Sequence, residues 1–191
     1  MTPLRSGSGA VDAGWRPSLA LGLLALAACG TTAPETAEPA APPCPTALIL
    51  EGAERTAAYR PGAEPRAAEI RYIAVLRDLS SACRYYSGEG GAGVDVDLTF
   101  NLIAERGPAM SGTEALTYFV ATIGPDGQIL DKELLQGDLT FEQGEERAGW
   151  SEDLTLRLPT VNSSEGAGYQ LYVGFQLDDA ELTRRQEPLL R

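Results

Sequence analysis

The 191-residue chain contains no histidine. That absence removes Ser-His-Asp and Cys-His catalysis, histidine metal ligands and histidine as a pH switch. Basic charge is also scarce. Lys132 is the one lysine, and 15 basic residues face 27 acidic ones, for a net charge of −12. So acidic a surface repels phosphate backbones, so no nucleic acid is expected as a partner, and it offers no polybasic grip on anionic lipid. No apolar run approaches the roughly 20 residues that span a bilayer. The spacing over residues 126–133 lacks the oxygen-ligand pattern of an EF-hand, and no metal site or cofactor is expected.

The N-terminal region has the parts of an export signal. Arg5 and Arg16 precede the short apolar run Leu19-Ala20-Leu21-Gly22-Leu23-Leu24-Ala25, which small residues close. The following Leu26-Ala27-Ala28-Cys29-Gly30 resembles the lipobox of bacterial lipoproteins. The resemblance implies cleavage before Cys29, a diacylglycerol thioether on its sulfur and a further acyl chain, of the palmitate kind, on the new amino terminus. One acyl chain holds a protein only marginally and two or three hold it stably. Gly30 follows the cysteine where an aspartate would, in many Gram-negative bacteria, retain the protein at the inner membrane. The resemblance therefore implies the periplasmic side of the outer membrane. Cleavage would remove Arg5, Asp12 and Arg16 and leave the remainder one unit more acidic.

With Cys29 lipidated, Cys44 and Cys83 remain as an even pair in an oxidising compartment, and a disulfide between them is expected. Two buried thiols or an intermolecular link are the alternatives. The organisation that follows is a signal peptide over 1–28, a lipidated cysteine and Pro/Ala/Thr-rich tether over 29–43, one domain over 44–187 and a tail over 188–191. The tether composition cannot build a core.

Within the domain the hydrophobic period is mostly two. Residues 94–102 alternate, with Val94, Val96, Leu98, Phe100 and Leu102 on one face. Residues 116–123 are rich in β-formers, Gly124-Pro125-Asp126-Gly127 is a turn, and 128–135 return as a second strand. Further strands are expected over 46–50, 139–141, 150–158 and 169–177. Residues 69–86 suit either a helix or a strand and are read as strand, because both neighbours are strands. Asp178 with Glu181 three residues on marks the start of a short C-terminal helix. Seven or eight strands predict an all-β, antiparallel β-sandwich, Ig- or fibronectin-like, with a short C-terminal helix. Scattered apolar positions are similar to lipoproteins of Gram-negative envelopes, a resemblance that implies no activity.

Candidate sites are few. Asp95 and Asp97 lie two apart on one strand and so share a face, as an acid–base or Ca²⁺ pair would, but that face is the polar one. Gly88, Gly90 and Gly93 match G-x-G-x-x-G, yet they lead into a strand, where dinucleotide binding needs a helix. Strand aromatics such as Tyr85, Tyr86, Tyr118 and Tyr169 read as core, leaving Tyr72 and Trp150 as those whose exposure would signal a platform. Glu145-Glu146 reads as a loop and Asn162-Ser163-Ser164 as a turn. These features point to a non-catalytic envelope lipoprotein, an acidic binding or assembly module held to the membrane by its lipid and meeting an envelope protein. The alternative is a carboxylate-dependent enzyme or ligand-binding accessory subunit acting on envelope glycan. Two facing carboxylates over an aromatic floor would favour the enzyme. An unpaired edge strand or an exposed apolar patch would favour the module.

Overall fold

A computed structural model describes residues 42–88, 91–160 and 165–186, within a unit spanning residues 40–191. Cys29 and its lipobox, the tether up to residue 41, Glu89-Gly90, Asn162-Ser163-Ser164 and the tail lie outside the described residues. Eight strands follow in order: β1 (Thr46–Ile49), β2 (Arg55–Tyr59), β3 (Ile70–Gly88), β4 (Gly91–Arg106), β5 (Thr113–Ile123), β6 (Ile129–Thr140), β7 (Arg147–Thr160) and β8 (Gln170–Phe175). A helix, α1 (Asp179–Gln186), ends the described chain. Two four-stranded sheets, β1-β8-β5-β6 and β2-β3-β4-β7, make the expected sandwich. The strand order departs from the Ig/fibronectin one, in which the second and third strands lie in opposite sheets. Here β2, β3 and β4 meander within a single sheet, and β1 pairs parallel with β8.

The period-two pattern sets the core. Val94, Val96, Leu98, Phe100 and Leu102 of β4 are buried against Leu171, Val173 and Phe175 of β8 and Leu116, Tyr118 and Val120 of β5. The ambiguous stretch is strand, and a 3₁₀ turn over Ala67–Glu69 precedes it. It is long because a register shift between Arg77 and Ser80 lets it bend and keep pairing with β4 on both sides of the irregularity. Asp78 takes the strained part with φ of 58°, and its carboxylate accepts a hydrogen bond from Asn101 Nδ2. Cys44 and Cys83 form the disulfide, with Cα atoms 5.7 Å apart. The bridge fastens the segment entering β1 to β3 in the other sheet, and Tyr85 Oη donates to the Pro43 carbonyl beside it.

Two elements differ in extent from the sequence reading. β2 was not expected, because Arg55-Thr56-Ala57-Ala58-Tyr59 has no large apolar side chain to mark alternation. The stretches 128–135 and 139–141 are one strand, β6, continuous through Gly137.

Candidate functional site

A two-sheet sandwich has four outer edges, and here they are treated differently. The β1 edge has only four residues. The β2 edge is sealed by α1. Asp178 Oδ1 caps that helix by accepting the Glu181 N–H at 2.7 Å, as the sequence suggests. The Glu181 side chain then turns to the sheet. Its Oε1 accepts the Ala57 N–H at 3.2 Å and its Oε2 accepts the Thr56 hydroxyl at 3.0 Å. Arg185 donates to Glu181 Oε1 and to the carbonyls of Gly52 and Arg55. Carboxylate and guanidinium thus stand in for the backbone of an absent strand.

Among the described residues the β6 edge carries no such cover, and on β7 the Pro159 carbonyl accepts a hydrogen bond from the Tyr169 hydroxyl. β6 pairs with β5 on one side only, and β7 with β4 on one side only. Among the described residues no side chain bonds to the backbone of β6. The sandwich is closed where β6 nears its end, with Leu139 buried and Leu135 half-buried. Towards the start of β6 it opens. Glu133 and Asp131 pair with Val120 and Thr122 of β5, and residues directly opposite share a face, so both carboxylates occupy the inner side. Yet they are exposed. They form one lip of a cleft of about 340 Å³ whose other lip is Thr155–Pro159 of β7, with Thr122 and Tyr169 between. Beside the cleft stand Ile129, Leu130 and Leu134, respectively 67%, 56% and 58% exposed. Lys132 is folded away, its ammonium 4.3 Å from the Phe119 ring centre and bonded to Gln176.

At the closed end lies a carboxylate that the sequence reading missed. Glu152 sits opposite Phe100, on the inner face of β7 with Trp150 and Leu154. Its Oε2 accepts hydrogen bonds from Tyr118 Oη at 2.5 Å and from Trp150 Nε1 at 3.0 Å. Burial, and then the hydrogen bond to this carboxylate, raise the Tyr118 phenol well above its ordinary pKa. The signal was available: in the alternation through Leu154, Leu156 and Leu158, position 152 falls on the apolar face. Phe100, Tyr118 and Trp150 pack as an edge-on and tilted series, with centroids 6.0 and 6.4 Å apart. Trp150 is half-buried and Tyr72 is buried, its phenol raised by desolvation.

Asp95 and Asp97 occupy the outer face of β4, as the alternation requires, but each is tied to its own neighbours. Arg157 grips Asp95 through two hydrogen bonds, of 2.9 and 3.3 Å, and lies over the Tyr86 ring. That grip lowers the Asp95 pKa and leaves its side chain only 16% exposed, although a solvated face was expected. Asp97 accepts the Thr155 hydroxyl and has Arg84 at 3.7 Å. No group of three or more potential ligands able to hold a metal occurs among the described residues. A cavity of about 430 Å³ beside α1 contains Arg71 and Glu181. Both are internally paired, Arg71 with Glu114 and the Tyr59 carbonyl.

Gly88 ends β3 and Gly93 lies inside β4, so no helix N-terminus meets these glycines. Asp126 makes the turn, its carboxylate accepting the Gln128 N–H. No helix among the described residues is long and apolar enough to cross a membrane. Compared with models of known families, with curated proteins and with solved structures, the chain matches none.

Proposed function

We propose that this protein is a non-catalytic binding or assembly module of the cell envelope, tethered to the outer membrane by acyl chains on Cys29 and engaging a protein partner through its folded domain. The lipobox resemblance supports the anchor and the compartment. The observation that carries the binding reading is the contrast between edges. α1 covers the five-residue β2, while among the described residues the twelve-residue β6 stays open beside exposed Ile129, Leu130 and Leu134. Long open edges with apolar neighbours invite pairing and are ordinarily blunted. The internally paired surroundings of Asp95, Asp97 and Arg71 favour no catalytic alternative.

A photo-reactive amino acid placed at Leu134 of the lipidated protein in cells tests this reading. Defined adducts are expected from position 134. The same probe at Ala58, beside the sealed edge, should give none. Equal adduct patterns at both positions, or none at either, would remove the basis for the proposal.

A further inference from the structure

The open β6 edge restricts what can pair with it. Its inner face offers Asp131 and Glu133, roughly 7 Å apart along the strand and without partners among the described residues. Its outer face offers Leu134, beside Phe119. Across the cleft stand Leu156 and Leu158, with Arg157 between them, its guanidinium already bonded to Asp95 on the outer face of β4. We propose that this edge accepts, as an added strand of its sheet, an extended polypeptide segment in which basic and apolar residues alternate. The proposal rests on the binding-module reading above and names the partner's chemistry.

Strand addition supplies main-chain hydrogen bonds, and pockets for alternate side chains supply selection. Residues of a guest strand directly opposite Asp131 and Glu133 project into the cleft. A neutral or acidic residue there would strip water from a carboxylate and return no partner. Lysine or arginine gives the carboxylate a cation, and its methylene stem covers Leu156 and Leu158. The intervening guest residues fall on the outer face beside Leu134, where apolar side chains remove exposed surface. Lys132, also on that face, is already turned onto Phe119 and leaves room.

Charge also argues against a second copy as the guest. Residues 126–153 carry nine carboxylates against Lys132 and Arg147. Pairing β6 with its own copy would set Asp131 and Glu133 among like charges. The carboxylates that guard the edge against self-association therefore select a cationic strand.

Fluorescence anisotropy with the full-length protein tests the proposal, using a labelled, end-capped eight-residue peptide of alternating lysine and valine. Three other peptides accompany it: the same residues in two blocks, alternating glutamate and valine, and the first peptide N-methylated at every second residue. The alternating lysine peptide should bind, weaken as salt rises, and exceed each of the others by at least tenfold. The double variant Asp131→Asn/Glu133→Gln, at two exposed positions, should keep its melting temperature and lose at least tenfold in affinity. Equal binding of the N-methylated peptide, an unchanged affinity of the double variant, no binding of the alternating peptide, or self-association through β6 would overturn the proposal. The Leu134 adducts separate the two readings. Adducts in cells without the peptide preference overturn only the cationic strand. The peptide preference without adducts overturns only the module.

Discussion

Gly137 of β6 lies directly beneath the indole of Trp150 on β7: a Cβ built on Gly137 would stand 2.3 Å from Trp150 Cζ2 and 2.7 Å from Cη2. The missing side chain lets the two edge strands approach, and it closes the sandwich at this end. Gly137→Ala should push the indole aside and separate Trp150 Nε1 from Glu152. Overpacking of this kind costs typically about 1–3 kcal/mol. A lower melting temperature and a red-shifted tryptophan emission are expected, the latter easily read because only Trp15 and Trp150 occur in the chain. Unchanged stability and emission would mean that the contact closes nothing.

The seal on β2 makes a second, independent prediction. Glu181→Ala removes the acceptor for the Ala57 N–H and the Thr56 hydroxyl and frees Arg185. A buried donor left without a partner costs about 1–3 kcal/mol. The variant should melt earlier and, with β2 uncovered, scatter more light on heating. Gln at this position keeps an acceptor and should restore much of the loss. A Glu181→Ala protein that is as stable as the parent and scatters no more light on heating would show that the helix does not guard the edge.

What was legible in the sequence was whatever a period of two can carry. β4 alternates buried and more exposed residues from Val94 to Ala104, and β8 keeps Leu171, Val173 and Phe175 on one buried face, so those faces were readable residue by residue. The Cys44–Cys83 bridge was readable because two cysteines remained once Cys29 was set aside. β2 was not readable, since its alanines carry almost no hydrophobic signal and its place is fixed by pairing with β3 and by α1. The candidate site was hidden for a related reason. That β6 is an edge depends on strand order, which local alternation does not encode. Asp131 and Glu133 look like an ordinary polar face until the register with Val120 and Thr122 puts them inside.

The disulfide should be a large share of the domain's stability. Closing a loop over a separation of 39 residues restricts the unfolded chain by roughly 4 kcal/mol in the chain-entropy model. The natively purified protein should yield no alkylatable thiol at Cys44 or Cys83. Reduction, or Cys44→Ser with Cys83→Ser, should lower the denaturant midpoint by a corresponding amount. Two reactive thiols in the native protein would contradict the bridge.

The proposed anchor is tested apart from the fold. Cys29→Ser should abolish incorporation of a fatty-acid analogue and shift the protein from the membrane to the soluble or unprocessed fraction. Fractionation of the parent should place it with the outer membrane. Unchanged labelling together with unchanged membrane partition in Cys29→Ser would end the lipoprotein reading.

Asp95 and Asp97 discriminate between module and enzyme. Asp95 is held by Arg157, so its carboxyl titrates below the ordinary aspartate range of about 4. A carboxyl with a lowered folded-state pKa favours the native state at every pH above the unfolded value, and that contribution fades as pH falls through the folded pKa. The parent should therefore lose stability below about pH 4 in part through Asp95, and Asp95→Asn should flatten that part of the acid profile while changing neutral stability little, because the Arg157 partner stays largely in solvent, which screens the pair. Asp97→Asn leaves the Asp95–Arg157 pair intact. In a binding module both variants keep cellular function, because their contacts are with the chain's own Arg157 and Thr155. A well-folded Asp95→Asn or Asp97→Asn protein that has lost function in cells would overturn the module reading and return the outer face of β4 to consideration as a working carboxylate pair.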